Sequence, residues 1–153
     1  MEAKHLHIKS KVIDLQNHKL LERLNDRMEL SPLVKMILYP FQRIKIFNKG
    51  MYVFIPVKNI LFLKAESNYV RIVLNNRKQY LLSKTLKQVL LELESPYFYR
   101  CHHSFVVNIQ FVELLNPNKN QIQIKDHLVP ISRTKRKDFK EALFRITQFG
   151  IIS

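Results

Sequence analysis

The sequence predicts a mainly β fold built of small antiparallel sheets, with two or three short peripheral helices. Two observations carry that expectation. From Gln42 onward the apolar residues come in short runs with a period of two, the pattern of strands. Helical spacing of three and four residues appears in three places, 10–30, 84–94 and 133–147. The composition, 46% hydrophobic and 25% charged, is that of a globular chain. Its 153 residues hold one ordinary domain and an extension, with enough chain for a core.

Taken in order, residues 10–30 place Ile13, Asn17, Leu20, Leu21, Leu24 and Met28 on one helical stripe. The stripe suits either a coiled coil or a helix docked on its own domain. Ser31-Pro32 ends it, because the residue before proline is pushed out of the α region. Leu33–Phe41, between Pro32 and Pro40, then reads as a connector. Arg43–Phe47 and Met51–Ile55 read as a hairpin around Asn48-Lys49-Gly50. Leu61–Glu66 and Tyr69–Leu74 read as a second hairpin over Ser67-Asn68, followed by a strand at Gln79–Leu82. The chain has two glycines, so asparagine is expected at the left-handed turn positions: Asn48, Asn68, Asn75, Asn76, Asn116, Asn118 and Asn120.

Ser83 is expected to cap a helix over Lys84–Glu94, with Leu86, Val89, Leu90 and Leu93 facing the core. Ser95-Pro96 stops it. Tyr97–Asn108 (YFYRCHHSFVVN) is rich in aromatic and β-branched residues and reads as one central strand. Neighbouring strand residues face opposite ways, so His102 and His103 cannot both be buried in one core. A hairpin is expected from Phe111–Leu115 and Gln121–Lys125, then a strand at Leu128–Ile131. Ser132 is expected to cap a last helix from Arg133 to about Thr147, with Phe139, Leu143 and Ile146 inward.

Charge narrows the partner. Residues 1–41 carry seven Lys/Arg against five Asp/Glu, whereas residues 42–153 carry nineteen against seven. Nearly all of the net charge of +14 therefore lies in the second part, and the field favours a polyanion, nucleic acid before membrane. The longest apolar run, Met51–Val57, is too short to cross a bilayer and contains Pro56. The N-terminus has no apolar signal core. A lone Cys101 makes no intrachain disulfide and fits a reducing compartment. A soluble, cytoplasmic protein without a membrane partner is expected.

Both predicted helix starts in the second part are cationic. Lys84 and Lys87 follow Ser83, and Arg133, Lys135, Arg136 and Lys137 follow Ser132. Cations oppose the helix dipole there, at a few tenths of a kcal/mol each when exposed. An external anion bound by backbone amides, cap hydroxyls and these side chains would complete both sites. Ordinary solvated helix formers explain Lys84 and Lys87 equally well; four cations in five residues favour an anion site at 133–137. Arg100 is open to pairing with Glu66 or Glu113. One cysteine and scattered histidines on diverging strand faces do not make a zinc site. There is no glycine-rich phosphate loop, metalloprotease motif or nucleophile elbow. No cofactor, metal or catalytic residue is expected; the protein reads as a non-enzyme.

Five segments occur in a shared order and spacing: Ile60–Glu66 (ILFLKAE), Asn68–Leu74 (NYVRIVL), Ser83–Lys87 (SKTLK), Phe98–Asn108 (FYRCHHSFVVN) and Val129–Arg133 (VPISR). Together they resemble the LytTR DNA-binding domain, the output module of many bacterial two-component regulators, from near Phe41 to Leu143. The resemblance implies an elongated set of small antiparallel sheets that reads successive major grooves with loops and strand ends. It places His102 and His103 against DNA, Ser104 beside a phosphate, and Asn68 in a second base-reading loop. Asn pairs bidentately with adenine. It implies a guanine-reading arginine after Ser132, and the variable spacing there does not separate Arg133 from Arg136. Lys84, Thr85 and Lys87 would grip phosphates, with Lys135 and Lys137 at the second anion site.

The implied partner is double-stranded DNA with paired direct-repeat half-sites, occupied by a homodimer. Residues 1–40 would be a helical extension, too short for the receiver domain such regulators carry, so a stand-alone module at 41–153 is expected. The alternative is a basic β-rich module that binds single-stranded RNA by stacking bases on Tyr69, Tyr97 and Tyr99. A membrane-surface role is the weakest rival, since the 10–30 helix is nearly charge-balanced.

Overall fold

The computed structural model describes residues 32–148, and the helix expected at 10–30 lies outside the described residues. The chain divides into two compact units between Ile37 and Leu38. The stretch expected to be a connector is helical instead: α1 spans Pro32–Leu38. Proline starts this helix because its missing N–H is one that the first turn leaves unpaired anyway. A 3-10 turn at Tyr39–Phe41 follows.

The second unit is mainly β. Strands β1 (Arg43–Asn48) and β2 (Met51–Pro56) form a two-stranded sheet. Strands β3 (Ile60–Glu66), β4 (Tyr69–Leu74), β5 (Gln79–Leu82), β6 (Phe98–His102) and β7 (Phe105–Asn108) form a five-stranded sheet ordered β5-β4-β3-β7-β6. Strands β8 (Leu114–Asn116), β9 (Gln121–Ile124) and β10 (His127–Pro130) form a third sheet, ordered β10-β9-β8. All pairings are antiparallel. Helix α2 (Leu86–Leu93) links β5 to β6, and α3 (Arg136–Gln148) follows β10.

The central strand explains its own sequence. Ile60-Leu61-Phe62-Leu63 is buried throughout, so β3 reads as an unbroken apolar run before loosening toward Glu66. One core joins the five-stranded sheet, the third sheet and α3 through Phe62, Val107, Ile122, Ile124, Val129 and Phe139. Phe139 is fully buried, and burying a side chain of this kind contributes about 1.5–3 kcal/mol. Leu143 and Ile146 pack against the same core, as their spacing predicts. Asn108 is the one buried polar side chain among the described residues. Its Nδ2 donates to Tyr39 Oη (2.8 Å) and Ile60 O (2.9 Å), so its burial leaves no donor unmet.

Tyr97–Asn108 is not one strand. The pairing His102↔Phe105 makes His103-Ser104 the turn of a β6–β7 hairpin. Histidine and serine sit at the turn because the polar knot is the bend itself. The register slips by one residue between Tyr99 and His102, putting an extra residue on β6 at Arg100-Cys101.

The asparagine expectation is also corrected. Left-handed backbone occurs at Lys49, Gly50, Ser67, Arg77, Glu94, Asn120 and Lys125, so of the seven asparagines named only Asn120 adopts it. Register decides these positions. Asn48↔Met51 leaves Lys49 and Gly50 as the two central residues, with φ of 49° and 79°, the conformation of a primed hairpin turn. Asparagines act through side chains instead: Asn76 Oδ1 accepts from Lys78 N (3.0 Å) and Asn116 Oδ1 from Lys119 N (3.1 Å).

Candidate nucleic-acid interface

The β6–β7 turn is the centre of the candidate site. His102 is partly buried at the end of β6 and His103 is exposed in the turn, so their different burial comes from the bend and not from alternation along one strand. Their ring centroids are 4.0 Å apart. Burial first, then the neighbouring His103, holds the His102 pKa below the usual imidazole value. Ser104 N donates to His102 Nδ1 (3.2 Å), so the neutral ring carries its proton on Nε2. Arg100 pairs with no acid among the described residues. Its Nη2 donates to His103 O (2.9 Å) and braces the turn.

The β3–β4 turn, Ser67-Asn68, lies beside it, because Ala65 N donates to Ser104 O (2.8 Å) across the β3–β7 edge. Asn68 and Tyr69 are exposed. The acid that precedes this turn is neutralised in place. Arg71 donates from Nε to Glu66 Oε1 (2.9 Å) and from Nη2 to Oε2 (2.6 Å), and Lys64 Nζ lies 3.2 Å from Oε1. These hydrogen bonds, Arg71 first and Lys64 next, lower the Glu66 pKa to about 2. A carboxylate beside Asn68 therefore presents little unbalanced charge to an anion.

At α2 the cap is Thr85, not Ser83. Thr85 Oγ1 accepts from Gln88 N (3.2 Å), and Thr85 N donates to Gln88 Oε1 (2.9 Å), a complete capping box. The spacing Thr-x-x-Gln selects this start, two residues later than expected. Lys87 remains in the first turn, with no acid there. Lys84 precedes the helix, and its Nζ lies 2.5 Å from Glu92 Oε1.

Ser132 likewise makes no side-chain cap. Its Oγ donates to Cys101 O (3.2 Å), and so does its amide (2.9 Å). A 3-10 turn at Arg133–Lys135 intervenes before α3, whose first turn contains Asp138 beside Arg136 and Lys137. The predicted cationic helix start is thus spread over two elements. Arg136 Nη1 donates to Pro117 O (2.8 Å), whereas the exposed Arg133 side chain has no partner among the described residues.

These pieces converge on two neighbouring clefts. One is lined by Asn68, Tyr69, Lys84, Thr85, Arg100 and His103. The other is lined by Arg100, His102, His103, Ser132 and Lys135. Arg100 and His103 form a wall common to both. Asn68, Lys84, Thr85, His102, His103 and Lys135 are thereby brought together from four separate stretches of chain. Lys87, Ser104 and Arg133 do not line either cleft, and Arg136 and Lys137 border a separate apolar groove. Arg100, Ser67 and Gln88 line the clefts with no DNA role expected from the sequence, whereas Ser83, expected as the cap hydroxyl of an anion site, lines the first cleft without capping α2. Of those three, only Gln88 has a local signal, its capping-box spacing.

The competing chemistries find little material. Among the described residues, no three His, Cys, Asp or Glu come together as a metal site, and no helix is long and apolar enough to cross a membrane. Cys101 is buried, and that burial pushes its thiol up to about 12, the opposite of an activated nucleophile. The tyrosines proposed to stack RNA bases are dispersed. Tyr97 is buried against Tyr39, Tyr99 packs on Phe139, and Tyr69 alone is exposed.

Comparison with known proteins places this geometry. The LytTr DNA-binding domain family matches residues 50–144. Transcriptional regulatory protein YpdB of Escherichia coli (strain K12) is 28% identical over 93 residues, covering 58% of this chain and 38% of that protein. Sensory transduction protein LytT of Bacillus subtilis (strain 168) is 30% identical over 95 residues, covering 60% and 39%. The heme-containing CO-sensing transcriptional regulator RcoM 1 of Paraburkholderia xenovorans (strain LB400) is 27% identical over 106 residues, covering 66% and 39%. The chain therefore spans less than two-fifths of the length of these relatives. A solved LytTr DNA-binding domain from a Bacillus cereus response regulator shares the fold, with a TM-score of 0.58 at 18% identity over 66% of this chain and 95% of that one.

Proposed function

Because the chain belongs to the LytTR DNA-binding domain family, we propose that it is a transcriptional regulator that binds duplex DNA at a specific sequence. The convergence of Asn68, Lys84, Thr85, Arg100 and His103 on one cleft, with His102, Ser132 and Lys135 on the next, carries this reading. Loops and strand ends, not a recognition helix, present these groups.

The base-reading roles rest on the chemistry described above, and the phosphate roles of Lys87, Ser104 and Lys137 on the family resemblance and their charge or hydroxyl. His102 offers an Nε2–H donor, suited to guanine O6 or N7, because its Nδ1 is occupied. His103 and Asn68 are exposed at adjacent turns, and Asn68 matches the paired donor and acceptor of adenine. Arg133 is the guanine reader, since Arg136 is committed to Pro117 O. Lys84, Thr85, Lys87, Ser104, Lys135 and Lys137 contact phosphates, which set affinity and its salt dependence. Two copies on paired direct repeats would double the contacts without new chemistry.

The test is selection from a random duplex pool, then anisotropy with the winner, a scrambled duplex and its single strand. Two spaced half-sites bound far more tightly than the scramble support the reading. Equal affinity for every duplex, or preference for the single strand, refutes it.

A further inference from the structure

The β1–β2 hairpin presents a surface that the DNA reading leaves unused. The pairs Lys45↔Phe54 and Phe47↔Tyr52 share one face of this sheet, and Ile44↔Ile55 lies on the other. Ile44, Ile46 and Ile55 are buried, so that second face is the core face. On the first face Phe47 and Tyr52 are each 64% exposed and Phe54 57%. Phe47 and Tyr52 rings lie 5.2 Å apart, and Lys45 Nζ sits 5.2 Å from the Tyr52 ring.

The edge of this sheet is as unusual as its face. Among the described residues β2 pairs with β1 alone, which leaves its outer edge open to them. Exposed edges are ordinarily guarded by charge, by inward-pointing polar groups or by bulges. β2 reads MYVFIP, with no charged residue and a proline only at its end. Charge flanks it in the chain instead: residues 43–58 contain Arg43, Lys45, Lys49 and Lys58 and no Asp or Glu.

We infer that β2 is a docking edge for an extended acidic segment of a partner protein, which adds as a strand to this hairpin. Main-chain hydrogen bonds would complete the open ladder. On the face it would share with Tyr52 and Phe54, apolar side chains of the segment would cover those rings and carboxylates would meet Arg43 and Lys45. A second copy of this chain fits worse, since a symmetric pairing would set the same cations against each other. Nucleic acid could stack on the aromatics but offers no strand to complete the ladder. A transcription regulator holding DNA by its two clefts would keep this face free for a protein.

The probe is a synthetic peptide with valine and glutamate alternating at its odd positions and threonine at every even one, so that both face the rings and cations together. Its comparators are the same residues in blocked order, the peptide with lysine in place of each glutamate, an oligo-dT strand and phosphatidylglycerol vesicles. Affinity is read by anisotropy or sedimentation with the full chain, and the site by slowed amide exchange. The alternating acidic peptide should bind at least tenfold more tightly than either peptide control and should slow exchange in β2. Phe54→Glu and Lys45→Glu should each abolish that binding while duplex-DNA affinity in the clefts changes less than twofold. Equal binding of both peptide orders, protection outside β2, or stronger slowing of β2 exchange by oligo-dT or vesicles would overturn the inference.

Discussion

Ser132 donates twice to one acceptor, the carbonyl of Cys101, from its amide at 2.9 Å and its hydroxyl at 3.2 Å. These two hydrogen bonds tie the segment just past β10 to β6 and set Lys135 in one cleft with the histidine pair. They also supply a pinning role for the serine in place of the cap its position suggested. Ser132→Ala keeps the amide bond and loses the hydroxyl one. Urea unfolding should show a loss of about 0.5–1.5 kcal/mol. Affinity for a selected duplex should fall, because the second cleft loosens.

Lys84 is already paired. Its ammonium must leave Glu92 before it can grip a phosphate, and half-exposed pairs of this type are worth no more than about 1 kcal/mol. Glu92→Gln should therefore tighten binding to specific and scrambled duplexes alike, by a few-fold, with stability nearly unchanged. Anisotropy at two salt concentrations checks it.

Thr85→Ala removes the capping box and should cost about 1 kcal/mol of stability. Ser83→Ala should cost much less, since Ser83 caps nothing. The contrast, read by urea midpoints, tests which residue starts α2.

Alkali should expose two buried acids. Burial raises the Tyr39 pKa from 10.0 to about 12, and that of Cys101 from 9.0 to about 12. Both folded values lie above the unfolded ones, so each group's contribution is complete below its unfolded pKa and is lost as pH rises toward 12. Cys101→Ala should delay the onset of alkaline destabilisation from near pH 9, and Tyr39→Phe should remove the part that begins near pH 10. Glu66 runs the other way. Its folded pKa of about 2 lies below the unfolded 4.5, so its contribution holds above pH 4.5 and fades as pH falls toward 2. Glu66→Gln should flatten that acid limb in unfolding curves taken at stepped pH.

β1 is legible because alternation survives in it, with Ile44 and Ile46 buried between exposed neighbours, whereas β2 and β4 are legible from their β-branched and aromatic residues. A hydroxyl alone does not locate a cap: Thr85 wins over Ser83 through its reach to Gln88 three residues on. The break in Tyr97–Asn108 was hidden because His103-Ser104 carries neither glycine nor proline, and cross-strand register decided it. Left-handed positions went to Lys49, Arg77 and Lys125 for the same reason. For the site, the cations and histidines were visible in one dimension. Arg100 was not, since its role comes from an inserted residue in β6 and a carbonyl three residues on.

The central claim is that turn residues read bases while lysines hold phosphates. The direct measurement is affinity of His103→Ala, Arg133→Ala, Lys87→Ala and the parent protein for a selected duplex and its scramble, across a salt series. His103→Ala and Arg133→Ala should lose about 1–3 kcal/mol on the selected duplex and little on the scramble, whereas Lys87→Ala should weaken both equally and lower the salt slope by about one. Three variants that weaken both duplexes alike would contradict the account.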